Sequence, residues 1–228
     1  SWLAIRSTSS PSPHEWENAF GDADVVFCIT ITSSLSGTYN SAVIAKDIYE
    51  HNHAGRKVYV LDSLSTGPEI ALFIEKIAEL IKAGFAPDDI YKTLLEYKDK
   101  THLYFSLASL NNFAKNGRIS PVIAAGIGLL GVRVVGKASD EGTLLPLDKC
   151  RGEKRALKKL IDHLKECGYT DGKIIIAHNN NEAGALELKK LIENTIGIIN
   201  WTIQKTRPLC RYYEHPLTIL LGLEASLW

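Results

Sequence analysis

Three short stretches of this sequence gather hydroxyl groups where chemistry on a small anion could be done. They are STSSPSP (Ser7 to Pro13), ITSSLSGTYNSA (Ile31 to Ala42) and DSLSTGPE (Asp62 to Glu69). Hydroxyls and the N–H groups of a helix entry donate to a carboxylate or phosphate without a buried cation. A buried carboxylate needs such donors, since without them it protonates. In the second stretch Ser33, Ser34, Ser36 and Thr38 surround Gly37 just ahead of a predicted helix. By itself that stretch also reads as a helix cap. It has one glycine and no lysine, and it lacks the spacing of a P-loop, so nucleotide binding through that motif is unsupported.

The elements around these stretches decide between cap and pocket. DVVFCIT (Asp24 to Thr30) reads as a buried strand, Tyr39 to Tyr49 as a helix, and RKVYVLDS (Arg56 to Ser63) as a second strand, which makes a strand–helix–strand unit. The second and third hydroxyl stretches therefore leave the carboxyl ends of two neighbouring strands, where open α/β sheets bind ligands. Ahead of them, Pro13 suits the first turn of a short helix with Trp16 and Phe20 turned inward. Behind them, PEIALFIEKIAELIKAG places Ile70, Phe73, Ile77, Leu80 and Ile81 on one side, with Gly84 as the stop. A further helix starts at Pro87 with two aspartates in its first turn.

From Thr101 the chain alternates again: strand THLYFSL, a short helix ending at Gly117, an apolar glycine-broken segment running into VRVVGKA, strand LLPLDKC, helix GEKRALKKLIDHLKECG, strand KIIIAHN, helix EAGALELKKLIENT, strand INWTIQK and strand LTILLGLEA. The expected fold class is α/β, with two domains, 1–100 and 101–228, each a β-sheet flanked by helices. The apolar, glycine-broken run VIAAGIGLLGV (Val122 to Val132) reads either as a wall of that ligand site or as a core element.

The 228 residues are 45% hydrophobic and 23% charged with zero formal net charge, so composition gives no electrostatic pull toward nucleic acid. Cys28, Cys150, Cys167 and Cys210 form neither a CxxC pair nor a zinc pattern, which fits free thiols in a reducing cytoplasm. His51 and His53 read as a polar turn, and His178 as a loop histidine capping the next helix, with a cleft position as the alternative. The basic run RGEKRALKK reads as a solvated helix face or as part of a docking surface. There is no methionine, even at residue 1.

The order TSSPSP, SSLSGTYNSA, VLDSLSTG, LASLNNFAKNGRIS, LDKCRGEKRAL resembles the DegV family of bacterial lipid-binding proteins, which includes the fatty-acid-binding subunits of fatty acid kinase. The resemblance implies a two-domain α/β protein holding one long-chain fatty acid between its domains, tail buried and carboxylate at the hydroxyl loops. It maps carboxylate contacts onto Thr8 and Ser36, and Ser9, Gly37, Thr38 and Ser63 belong to the same loops. His215, in PLCRYYEHPLTILLG, is the candidate for a family histidine at the carboxylate, with a surface loop as the alternative. Arg118 in KNGRIS maps to a basic residue near the opening that docks the kinase. Because family members begin with a strand upstream of TSxPSP, the N-terminal domain is expected to lack its first strand segment here.

These readings describe a cytoplasmic fatty-acid-binding protein that is not itself an enzyme. It has no cofactor beyond the bound fatty acid, and its partners are an ATP-dependent fatty acid kinase subunit and, transiently, a membrane. The alternative is a small-molecule phosphotransferase or hydrolase using the same loops as an oxyanion or phosphate site. That activity needs a general base near Ser36, for which His178 and His215 are the candidates.

Overall fold

The computed structural model describes residues 8–119, 131–197, 200–207, 213 and 217–225. The run at residues 122–130, Cys210 and His215 lie outside the described residues.

The first half builds a parallel pair, β1 (Val25–Thr30) and β2 (Lys57–Asp62), in register from Val25 opposite Lys57 to Thr30 opposite Asp62. Side chains alternate across strands, so the pair has two apolar faces. Val26, Cys28, Val58 and Val60 meet α1 (Pro13–Phe20) and α2 (Thr38–Asn52) through Phe20, Ala42, Ala45 and Tyr49. Phe27, Ile29 and Leu61 meet α3 (Pro68–Lys82) and α4 (Pro87–Lys98). Helix α1 starts from a capping box in which Ser12 Oγ accepts from Glu15 N at 3.2 Å and Glu15 Oε2 accepts from Ser12 N at 2.7 Å.

The second half builds a mixed sheet ordered β5-β4-β3-β8-β6-β7 among the described residues. Its strands are β3 (Thr101–Leu107), β4 (Val132–Ala138), β5 (Leu144–Arg151), β6 (Lys173–Asn179), β7 (Asn200–Lys205) and β8 (Thr218–Glu224). The last strand, β8, is inserted antiparallel between β3 and β6. One face packs on α6 (Glu153–Glu166) and α7 (Glu182–Thr195) through Leu157, Leu160, Leu188 and Ile192. The opposite face carries Leu103, Phe105, Leu107, Val134 and Leu220, with α5 (Asn111–Lys115) at its border contributing Phe113 and Ala114.

Helix α3 joins the two sheets, because Leu72, Phe73 and Ile77 share a cluster with Leu61 of β2 and Ile175 of β6. The expected stripe on α3 needs one correction. Ile81 is 55% exposed while Leu72 is buried. Ile81 lies past the edge of the stripe that Phe73, Ile77 and Leu80 define, and Leu72 lies on its other flank. At Gly222 a Cβ would lie 2.7 Å from Glu69 N, so only glycine lets the start of α3 lie flat on β8.

Candidate functional site

The loops after β1 and β2 are tied to each other before they are available to any ligand. Asp62 Oδ1 accepts from Ser33 N and from Leu64 N, each at 3.1 Å, and Thr32 N donates to Ser65 O at 2.9 Å. The tip of the β4–β5 hairpin closes over them: Ser34 Oγ donates to Glu141 O at 2.5 Å. Gly142 has φ +75°, and a Cβ there would lie 2.1 Å from Thr32 Oγ1. Below, Glu69 is 4% exposed and receives hydrogen bonds from the hydroxyls of Ser65 and Thr101, the latter at 2.6 Å. Burial pushes its carboxyl above the ordinary value, against the pull of those two hydroxyls.

Between this frame and the open face of the six-stranded sheet is a cavity of about 310 Å³. One end is polar. It is lined by Thr8, Ser9 and Ser10 from the segment before α1, Thr32, Ser36, Gly37 and Thr38 from the β1–α2 loop, Thr66, Tyr213 and Arg118. Ser36 Oγ and Thr38 Oγ1 are 2.7 Å apart, and Thr8 Oγ1 and Tyr213 OH 2.6 Å. Ser36 Oγ also accepts from Thr38 N at 3.3 Å. Gly37, the N-cap of α2, has no side chain to occupy the helix entry, and a Cβ there would lie 3.3 Å from Ser10 Oγ. A pair of hydroxyls sharing one hydrogen bond commits one of its two protons, so the Ser36–Thr38 pair has a donor to turn toward an anion.

The other end is apolar and consists of Leu103, Phe105 and Leu107 of β3, Leu220 of β8, Leu144 of β5 and Phe113. Arg118 borders the polar end: Nε donates to Leu35 O at 3.3 Å, a guanidinium N–H donates to Asn116 O, and the guanidinium carbon lies 5.9 Å from the Tyr213 ring centre. Phe113 extends this stack at 5.2 Å from Tyr213. The arrangement suits a ligand with an anionic head and a long apolar body, in which many methylenes supply affinity and a few donors fix the head.

Of the residues expected from sequence, Thr8, Ser9, Ser36, Gly37, Thr38 and Arg118 line this cavity. Arg118, expected near the opening as a docking residue, borders the polar end of the cavity. Ser63 is corrected: it is 2% exposed and absent from the lining, and its Oγ accepts from Ser65 N at 3.1 Å in a turn that shapes the loop. Its neighbour Thr66 reaches the cavity instead.

His178 is 2% exposed, on the sheet face away from the cavity with Ile174 and Ile176, and its Nδ1 accepts from Asn181 N at 3.2 Å. It braces the entry of α7 and does not approach Ser36 as a base. Sequence reasoning missed Tyr213, Thr32, Thr66 and the Leu103–Phe105–Leu107 wall. The alternation in THLYFSL was a usable signal for the wall, whereas nothing local marks Tyr213. Among the described residues no cluster of three or more His, Cys, Asp or Glu is placed to hold a metal. Burial raises the Cys28 thiol to about 12, well away from thiolate reactivity. No helix among the described residues is long and apolar enough to cross a membrane.

Fold and cavity define an α/β protein with a pocket for an amphipathic acid, built where strand-end loops of one sheet face the open side of another. The family model of the DegV proteins, described as uncharacterised, matches residues 4–213. The chain belongs to the DegV family. A DegV domain-containing protein of Streptococcus pneumoniae is 40% identical over 217 residues, covering 95% of this chain and 77% of that protein. The chain is also similar to the crystal structure of the Streptococcus pneumoniae fatty acid kinase (Fak) B3 protein loaded with linoleic acid. The TM-score is 0.94 at 40% identity, over 96% of this chain and 78% of the other. A DegV family protein from Eubacterium eligens, loaded with heptadecanoic acid, superposes with a TM-score of 0.93 at 40% identity, over 96% and 79% of the two chains.

Proposed function

We propose that this protein binds one long-chain fatty acid, with the tail on the apolar wall of the six-stranded sheet and the carboxylate among the hydroxyls of Thr8, Ser36, Thr38 and Tyr213. The observation that carries the reading is the polarity of a single cavity, hydroxyl-lined at one end and made of leucine and phenylalanine at the other. Two structures at 40% identity hold heptadecanoic and linoleic acid, and these are the ligand class such a cavity selects. Each methylene buried contributes about 0.8 kcal/mol, so the tail dominates affinity while the head fixes orientation.

Because a similar chain is a fatty acid kinase B protein, we extend the proposal to presentation of the carboxylate to a separate kinase that converts it to an acyl phosphate. Arg118 serves both roles in this reading: it lies beside the head group and belongs to the surface that meets the kinase. Organic extraction of the purified protein followed by mass spectrometry tests the binding step, with close to one fatty acid per chain expected. Protein that carries none and takes up none from solution contradicts it. For the second step, acyl phosphate formation with ATP and a fatty acid kinase catalytic subunit is measured for wild type and Arg118→Ala. Equal rates would remove Arg118 from the docking surface.

A further inference from the structure

We infer that Gly136 and Phe105 act as a pair that sets how long an acyl chain the cavity accepts, an inference that rests on the fatty-acid reading above. Phe105 is 1% exposed and lines the cavity. Its register partner across the antiparallel β3–β4 ladder is Gly136, so the two residues point to the same face of the sheet. A Cβ built on Gly136 would lie 2.5 and 2.7 Å from Cζ and Cε2 of the Phe105 ring and 2.4 Å from Leu145 O. The ring therefore occupies the volume that any other residue at 136 would need for its side chain.

The backbone of Gly136 does not require glycine, since it is not among the positive-φ glycines; the requirement is space. The register shift between Val135 and Gly136 accompanies this close approach of the β5 backbone. Along β3 the ring is flanked by Leu103 and Leu107, with Leu220 opposite it on the neighbouring β8 and Leu144 on β5, one strand beyond β4. Because the ring also lines the cavity, a side chain at 136 would press it toward that space. Gly136 thus lets the ring lie across the sheet, where it helps to line the apolar end of the cavity.

The test is competition. Wild type and variants are incubated with an equimolar ladder of saturated fatty acids of increasing length, and the bound set is quantified by mass spectrometry as both total occupancy and length distribution. Phe105→Leu is expected to shift the distribution to longer chains, with a change of roughly tenfold between neighbouring members at the cutoff, the size of effect one methylene has in an apolar pocket. Gly136→Ala is expected to shift it to shorter chains, and Gly136→Ala with Phe105→Leu to reverse that shift. Gly136→Ala also meets the Leu145 carbonyl, so Phe105→Leu decides the matter if the alanine variant does not fold. An unchanged length distribution in Phe105→Leu at full occupancy overturns the inference and leaves fatty-acid binding standing. Wild-type protein that binds no member of the ladder overturns the fatty-acid reading and this inference together.

Discussion

Two polar clusters stand at strand ends on opposite sides of the six-stranded sheet, and they are wired differently. On the helical side Arg133, 6% exposed, donates to Leu217 O at 2.7 Å and pairs with Glu153 at 3.1 Å, while Asn181 donates to Glu153 at 2.5 Å and to the same Leu217 carbonyl at 3.0 Å. Charges and amides there are used on one another, and they fix Leu217 at φ 77°, a conformation a non-glycine residue holds only when its surroundings impose it. On the cavity side the hydroxyls of Ser36 and Thr38 pair with each other, as do those of Thr8 and Tyr213, and Ser36 Oγ also accepts from Thr38 N. The Ser36–Thr38 pair, which commits one of its two hydroxyl protons, retains a donor. A saturated cluster stabilises the fold, whereas a cluster with donors in reserve beside an apolar cavity can receive a ligand.

That contrast is sharpest if mutations on the two sides have opposite consequences. Arg133→Ala removes the cation paired with Glu153, which keeps its bond from Asn181, and a donor to Leu217; losing a charged hydrogen-bond partner costs about 1.5–3 kcal/mol of stability. Urea denaturation is expected to show that loss, and a midpoint equal to wild type would break the distinction. Thr8→Ala with Ser36→Ala should leave the urea midpoint nearly unchanged and weaken fatty-acid binding by about 1.5–3 kcal/mol for each donor to a charged carboxylate. Titration with a fluorescent fatty acid measures it. Tyr213→Phe is expected to lose about 1 kcal/mol in the same titration, since it removes a single hydroxyl.

The smallest effect concerns Glu69, which lies beneath the head-group loops yet is wired like the saturated cluster. Burial raises its carboxyl above the ordinary 4.5. The stability this contributes is fully present below 4.5 and is lost as pH rises through the folded value. Glu69→Gln removes this titration, so wild type should lose stability relative to the variant as pH increases above 4.5. Parallel urea midpoints across pH would show that Glu69 ionises in the fold as it does in the unfolded chain.

The hydroxyl end of the cavity was legible because its signals are local. A strand that ends in a serine-rich turn before a helix fixes the place of Ser36 and Thr38, and repetition of the pattern after β2 brings the second loop to the same edge. Ser63 was misplaced because the alternation of a loop is not that of a strand, and its hydroxyl turned back to Ser65 N. The apolar wall was not legible in the same way. It depends on β8 being inserted between β3 and β6, which joins Leu220 to Phe105 across 115 residues of sequence, and no periodicity encodes that pairing. Tyr213 reaches Thr8 from the far end of the chain for the same reason. Arg118 was found from its motif, but its place in the cavity wall came from its contacts with Leu35 and Tyr213.

The claim that the hydroxyl cluster is a carboxylate site is tested most directly by the amount of fatty acid that remains with the purified protein. Lipid extraction and mass spectrometry of wild type and the Thr8→Ala, Ser36→Ala double variant, purified side by side, give that number. The account predicts close to one fatty acid per wild-type chain and strongly reduced occupancy in the variant at equal folding stability. Equal occupancy in both proteins would contradict it.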